Sequence, residues 1–156
     1  MKKNIFFTGI CAVMLVLGAC GPSAKESGSE HKTSGSEEKE KTSSLKMLEN
    51  DKTGEYLADA NGMTLYYFTK DEPGKSNCTG ECLKNWPPFT AGDFDVPDGF
   101  DIEDFGTIKR EDSGSEQVTY KGYPLYYFSK DKQEGDVNGQ GVKDVWYILN
   151  SKTDLK

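Results

Sequence analysis

Two cysteines separated by three residues are the sharpest chemical feature of the sequence. They lie in the segment Cys78-Thr79-Gly80-Glu81-Cys82. Outside the cytoplasm, cysteines this close are expected to oxidise to a disulfide. Closing so short a loop would stabilise a fold by about 2 kcal/mol. The spacing therefore predicts a structural disulfide, and it leaves two other uses open: a redox-active dithiol and a soft-metal site.

Two aspartates recur at matching positions of the sequence. Asp71 stands three residues after Phe68, and Asp131 stands three residues after Phe128. Aspartate at the end of a strand commonly accepts N–H bonds from the loop that follows, so we expect a structural, loop-capping role for both. The alternative is a shared acid/base or cation site, which would require the two carboxylates to meet in space.

A cation site has only weak support in the sequence. The acidic stretch 93–104 does not fit the EF-hand template, because Pro97 stands where a ligand is needed. In a Gly-rich loop further on, Asp136, Asn138 and Gln140 alternate, and they are weak candidates for a loosely bound calcium ion. No cofactor is predicted. A weakly bound calcium ion and a redox cofactor remain open alternatives, and no convergent catalytic set indicates an enzyme.

These residues belong to a ten-residue segment that occurs twice, 60 residues apart. Residues 62–71 and 122–131 are identical at seven of the ten positions, and Trp86 and Trp146 keep the same offset. Such a duplication indicates two copies of one structural unit. At the same offset, the second copy has Asn138 and Val142 in place of the two cysteines, so the unit can be built without a disulfide.

Each copy contains a predicted β-hairpin. Residues 55–58 lead through a turn ending in Gly62 into an aromatic strand, and residues 117–120 do the same through Gly122. Both faces of the aromatic strand are apolar, which favours a central strand. The predicted fold is therefore mostly β: a compact single domain of two pseudo-symmetric, hairpin-containing repeats, with at most a short helical turn around residues 80–85.

The N-terminal segment has the features of a bacterial export signal. Lys2 and Lys3 precede a short apolar stretch that ends in Leu17-Gly18-Ala19-Cys20. We expect residues 1–19 to be a lipoprotein signal peptide and Cys20 to be the acylated first residue of the mature protein. Two or three acyl chains hold a protein durably to a bilayer, each buried methylene contributing ~0.8 kcal/mol. The predicted location is the bacterial cell membrane, facing the extracytoplasmic side.

Composition divides the rest of the chain. Residues 20–50 comprise Cys20 and a run rich in Ser, Glu, Lys and Gly, which predicts a disordered tether. Residues 51–156 hold 12 Lys and Arg against 20 Asp and Glu, and this negative charge argues against a nucleic-acid partner. Within this domain we expect repeat 1 at about 55–90, an acidic connector at 91–114 and repeat 2 at about 115–150.

The combined motifs resemble the bacterial secreted-repeat lipoprotein family, which has a Tyr-x-(Phe/Trp/Tyr)-x-x-Asp motif. The matching elements are Tyr66-x-Phe68-x-x-Asp71, Tyr126-x-Phe128-x-x-Asp131, Cys78-x-x-x-Cys82 and Trp86-Pro87-Pro88, with Trp146 in the second copy. The resemblance implies an exported, often lipid-anchored protein, and some members are associated with extracytoplasmic electron transfer. It implies no firmly assigned biochemical function.

The sequence thus predicts a lipid-anchored surface module that binds or assists a partner. Its expected contacts are the membrane, through acyl chains on Cys20, and a surface protein or small ligand. One alternative is an accessory in extracytoplasmic redox or electron transfer that uses Cys78 and Cys82 or a bound cofactor. Another is a structural protein of the envelope.

Overall fold

The structure, a computed structural model, describes residues 43–155. The predicted signal peptide, Cys20 and most of the predicted tether lie outside these residues. In chain order the elements are β1 (Ser43–Ser44), β2 (Lys46–Asn50), β3 (Gly54–Ala58), β4 (Tyr66–Phe68), α1 (Glu81–Asn85), β5 (Phe94–Asp95), β6 (Phe105–Lys109), β7 (Glu116–Tyr120), β8 (Tyr123–Tyr126) and β9 (Trp146–Ile148). Two 3₁₀ turns span Ile102–Asp104 and Val142–Asp144. The predicted mostly β fold is confirmed, and α1 is the helical turn expected around residues 80–85.

Five strands form the main antiparallel sheet, in the order β6-β7-β8-β4-β9. The two aromatic strands are neighbours at its centre, where Tyr66 lies opposite Tyr126. On its other side β4 pairs with β9, so that Phe68 lies opposite Trp146. The aromatic strand of the first repeat is therefore enclosed by strands of the second. This explains why both of its faces are apolar, as predicted for a central strand.

Each repeat contributes a hairpin whose turn has a clear local cause. In the first, the Asp59 carboxylate accepts the backbone N–H groups of Asn61 and Met63, both at 2.9 Å. In the second, Lys121 and Gly122 have φ angles of 48° and 84°. Positive φ at both central residues defines a type I′ turn, whose twist matches that of the flanking strands. Both predicted hairpins are present.

Hydrophobic side chains form two clusters, one on each face of the aromatic strands. Tyr66 and Phe68 belong to one cluster, together with their second-repeat counterparts Tyr126 and Phe128. The other cluster contains eight buried residues, among them Leu65 and Leu125, which alternate with the first set along the aromatic strands. The others are Leu45, Leu57, Phe89, Val118, Tyr120 and Leu149. This division follows from the alternation of side chains along a strand.

Four stacked rings run through the first cluster and alternate between the repeats, in the order Phe68, Trp146, Trp86, Phe128. The two indoles are nearly parallel, with centroids 3.8 Å apart. Phe68 stacks on Trp146 at 4.3 Å, and Phe128 stacks on Trp86 at 4.2 Å. Each ring thus packs against a ring of the other repeat, so the stack joins the two repeats through contacts that neither could make alone.

Two segment boundaries differ from those expected. The tether was predicted to reach residue 50, yet β2 pairs with β3 along its full length, and Leu45 is only 4% exposed. The connector was predicted to span 91–114, yet β6 begins at Phe105 and pairs with β7. Neither β2 nor β6 has a regular apolar alternation, so pairing with the next strand determines these strands more than their own pattern does.

The connector between the repeats is fixed at two aromatic residues. Phe94 packs edge-on against Phe105, with ring centroids 5.6 Å apart, and Phe100 packs edge-on against Tyr120 at 5.4 Å. Among residues 43–155, no helix is long and apolar enough to span a bilayer.

Candidate functional site

The motif tyrosines and aspartates bond across the repeats. The Tyr66 hydroxyl donates to Asp131 Oδ2 at 2.6 Å, and the Tyr126 hydroxyl donates to Asp71 Oδ2 at 2.6 Å. All four residues are buried. Each repeat therefore supplies the carboxylate for the other's tyrosine, and we call this reciprocal pair of hydrogen bonds the interlock.

Each carboxylate also caps its own loop through its second oxygen. Asp71 Oδ1 accepts the Asn77 N–H at 2.6 Å, and Asp131 Oδ1 accepts the Asn138 N–H at 3.0 Å. Loop capping is the role expected of these aspartates. Because each carboxylate is bound to a different tyrosine and a different loop, the two do not form a shared acid/base or cation site. The crossing of the tyrosine bonds was not anticipated from the sequence.

Burial sets the protonation of the interlock. It raises the pKa of the Asp71 and Asp131 carboxyls, while the tyrosine and amide donors act in the opposite direction. Burial and the adjacent carboxylates hold the pKa of Tyr66 and Tyr126 far above the ordinary range of tyrosine. Both phenols therefore remain protonated donors, which suits a structural hydrogen bond and not a nucleophile or base.

The surroundings of the two carboxylates differ in charge. The Arg110 guanidinium lowers the pKa of Asp71, partly offsetting the effect of burial. Next to Asp131 stands another carboxylate, Asp136, which raises the pKa of Asp131 further. The interlock is thus symmetric in geometry and asymmetric in electrostatics.

Arg110 is the buried cation that sequence reasoning missed, since it fell within the predicted connector. It is only 4% exposed, and all five of its N–H donors are used. Nε and Nη2 bind the two oxygens of Asp112 at 2.9 and 2.7 Å, and Nη2 also donates to the Cys78 carbonyl at 2.8 Å. Nη1 donates to Ser76 Oγ and to Gln117 Oε1. Burial lowers the pKa of Arg110, but Asp112 and Tyr126 together outweigh this effect, so that the pKa is raised.

The Cys78–Cys82 disulfide is present, as predicted, with the two Cα atoms 5.4 Å apart. Cys78 is fully buried, whereas Cys82 is partly exposed. The bridge links the loop capped by Asp71 to α1, and α1 leads directly into Trp86. It therefore fixes two parts of the first repeat that both contact the second repeat.

The counterpart of Cys78 in the second repeat is Gly139, not Asn138. Asn77 and Asn138 make the same capping bond to their aspartates, which places them at equivalent positions and shifts the alignment by one residue. A Cβ at Gly139 would lie 2.7 Å from the Tyr66 ring and 2.9 Å from Trp86. Glycine is required there because two aromatic rings pack against its backbone.

A cleft opens where the disulfide loop meets the end of β6. Its volume is about 280 Å³, and it is lined by Gly74, Lys75, Ser76, Thr79 and residues 108–112. Arg110 and Ser76 form part of its wall, and the exposed side chains of Lys75, Lys109 and Glu111 surround it. At the corresponding end of the β2–β3 hairpin stands Asn50, whose amide donates to the Gly135 carbonyl at 3.1 Å. The cleft therefore belongs to the part of the fold in which the repeats differ.

The weak calcium candidates do not converge on one point. Asp136 Oδ2 accepts the Lys132 N–H at 2.7 Å, and Gln140 Oε1 accepts the Ile148 N–H at 2.8 Å. Asn138 Nδ2 donates to Asp131 Oδ1 at 3.1 Å. Across residues 43–155, no group of three or more His, Cys, Asp or Glu side chains is placed to hold a metal ion.

Two interlocked aromatic repeats, one of them closed by a disulfide, define a duplicated, mostly β domain. A family model described as a secreted repeat of unknown function matches residues 47–90 and 106–150. These matches cover more than half of the chain, which therefore belongs to this secreted-repeat family, consistent with an extracytoplasmic location. No curated protein matches the sequence. No solved structure matches it either.

The electrostatic asymmetry of the interlock predicts unequal costs for removing its two hydroxyls. Tyr66→Phe leaves Asp131 Oδ2 without its tyrosine donor beside another carboxylate, and we expect a loss of about 2–3 kcal/mol of unfolding free energy. Tyr126→Phe should cost about 1–2 kcal/mol, because Arg110 and Ser76 remain near Asp71. Urea unfolding of the oxidised protein measures both losses.

Tyr147→Phe, on β9 and outside the interlock, is the matched control and should change stability by less than about 0.5 kcal/mol. If both interlock variants behaved like this control, the exchanged hydrogen bonds would not stabilise the fold. If Tyr126→Phe cost more than Tyr66→Phe, the electrostatic argument would be wrong.

Proposed function

We propose that this protein is a lipid-anchored extracytoplasmic binding module whose cleft beside Arg110 takes a small polar ligand. The observation that carries the proposal is the cleft itself, which lies where the two repeats differ. The residues common to both repeats are occupied in holding them together. A ligand site is therefore better supported at Arg110 and the disulfide loop than in the shared motif.

The wall of the cleft is preorganised. All five donors of Arg110 are used within the protein, and its pairing with Asp112 lowers the pKa of that carboxyl. The Cys78–Cys82 bridge restrains the other wall. Binding to a site that is already ordered loses little conformational entropy, which favours measurable affinity from a small contact area.

The rim indicates the chemistry of the ligand. Lys75 and Lys109 supply two flexible cations, Thr79 supplies a hydroxyl, and Glu111 supplies one carboxylate. Because Arg110 and Asp112 neutralise each other, the remaining side chains favour an anion that also carries hydroxyl or amine groups. A volume of about 280 Å³ suits a molecule of metabolite size.

Binding is proposed in preference to catalysis because the titratable groups of the core are occupied. The buried tyrosines are held protonated, and each motif aspartate accepts two or more hydrogen bonds. Tyr126 is connected to the cleft through Ser76, but its phenol is held protonated and therefore supplies no base there.

The cleft is tested by native mass spectrometry of the protein purified from its own host, which detects a retained small molecule. We expect a retained anion that Lys75→Glu combined with Lys109→Glu releases, since charge reversal removes both rim cations. Lys130→Glu, at the end of the second motif, is the matched control and should keep the ligand. Retention by the double variant, or a protein that is always free of ligand, would contradict the cleft proposal.

Anchoring through Cys20 is tested by labelling growing cells with radioactive palmitate. The wild-type chain should incorporate label and partition into detergent, because acylation of Cys20 creates its membrane contact. Cys20→Ala should incorporate none, while Ser23→Ala, three residues along, should be labelled normally. Palmitate on the Cys20→Ala variant would show that the lipidation site lies elsewhere.

A redox accessory is the second candidate, favoured by the partial exposure of Cys82. Because Cys78 is fully buried and Cys82 is partly exposed, a partner's thiolate would attack the bridge at Cys82. If the bridge is an exchangeable dithiol, thiol labelling after equilibration in redox buffers should give a potential well above about −300 mV. A potential below that value identifies a structural bridge and contradicts the redox candidate.

A further inference from the structure

We infer that the open edge of β6 binds an extended, basic segment of a partner protein as an additional strand. This surface adjoins the cleft at Gly74, Ile108 and Lys109, but the inference does not depend on the proposed ligand. Within residues 43–155, β6 pairs with β7 alone and forms one end of the five-stranded sheet.

The hydrogen-bond pattern shows which backbone groups point outward from that edge. The Lys121 N–H donates to the Asp104 carbonyl at 2.6 Å, and the Arg110 N–H donates to the Ser115 carbonyl at 2.9 Å. Because bonding alternates along an antiparallel strand, Gly106 and Ile108 also face β7. The Phe105 N–H is already bonded to the Ile102 carbonyl of the preceding 3₁₀ turn. The open side therefore offers five groups to an added strand: the Phe105 C=O and the N–H and C=O groups of Thr107 and Lys109.

Shallow grooves lie on both sides of this edge. One, of about 250 Å³, lies between Phe94, Ile102 and Phe105. Ile102 is 50% exposed, and among residues 43–155 it is the one large hydrophobic side chain that is classed as exposed. The other groove, of about 410 Å³, is lined in part by Thr119 and Lys121. Alternate side chains of an added strand would enter the two grooves in turn, as in recognition by β-strand addition.

The charge around the edge identifies the chemistry of the partner. Residues 91–104 contain six acidic residues and no Lys or Arg. Asp93 lines the first groove, and Glu103 and Asp104 line the second. A partner segment that carries Lys or Arg between apolar residues is complementary to this surface. A second copy of this chain would bring the same acidic connector to the edge, so a basic partner is favoured over self-association.

The test uses the full mature protein and a synthetic ten-residue peptide that alternates lysine with valine. Amide hydrogen exchange is followed by NMR. We expect the amides of Thr107 and Lys109 to exchange at least tenfold more slowly with the peptide, while those of Phe105, Gly106 and Ile108, which are bonded within the protein, change little. A peptide with glutamate in place of lysine, and one N-methylated at alternate residues, should give no protection.

Thr107→Pro removes one outward donor without removing a bond to β7, since proline is tolerated where the N–H of an edge strand faces solvent. We expect it to weaken peptide binding at least tenfold, while Thr107→Val, which keeps the N–H, binds like the wild type. If Thr107→Pro does not fold, the N-methylated peptide decides the question on the wild-type protein.

Three results would overturn the inference. The first is protection of the Thr107 and Lys109 amides in the free monomer, and the second is equal protection by the lysine and glutamate peptides. The third is protection that depends on protein concentration and is accompanied by dimer formation in sedimentation equilibrium, which would identify a second copy as the occupant.

Discussion

The exchange of tyrosine–aspartate hydrogen bonds between the repeats is the interaction on which the rest of the structure depends. A buried carboxylate is costly unless donors satisfy it, and here one donor to each motif aspartate comes from the other repeat. The same residues place the aromatic strands side by side and bring Trp86 against Trp146. Because neither repeat can complete these contacts alone, the duplication is a requirement of the fold and not a repetition of independent units.

The interlock also explains why the repeats can differ elsewhere. Once Tyr66, Tyr126 and their carboxylates fix the two halves, the loops that leave the aspartates need only return at the tryptophans. One loop does so through a disulfide and α1, and the other through a 3₁₀ turn at Val142–Asp144. Arg110 binds the loop of the first repeat through Ser76 and Cys78. The equivalent position in the first repeat is Asn50, which carries no charge. Stability is therefore concentrated in the shared residues, which leaves the loops free to carry a specific activity.

Much of the architecture could be predicted because its causes are local. The glycines and Asp59 determine the hairpin turns, and the apolar faces of 65–68 indicate a central strand. The spacing of Cys78 and Cys82 indicates a disulfide that closes a short loop. The crossing of the tyrosine bonds could not be predicted, since it depends on which strands become neighbours. Arg110 was missed for a related reason. In the sequence Lys109-Arg110-Glu111-Asp112 it resembles a solvated charge, and only the pairing of β6 with β7 buries it beneath the disulfide loop.

The one-residue shift between Cys78 and Gly139 shows how the halves diverged within a fixed geometry. Tyr66 accepts the Gly139 N–H at 3.2 Å, and its ring packs where any side chain would collide. At the equivalent place in the first repeat, Ser76 Oγ lies 2.7 Å from the Tyr126 hydroxyl, and Cys78 has room to bridge to Cys82. Ser76 Oγ also accepts a hydrogen bond from Arg110. The Ser76 hydroxyl therefore stands in the place of the Gly139 N–H and connects the interlock to the wall of the cleft. A change at the cleft can therefore reach Asp71 through two hydrogen bonds, whereas Asp131 lacks this connection through Ser76 and Arg110.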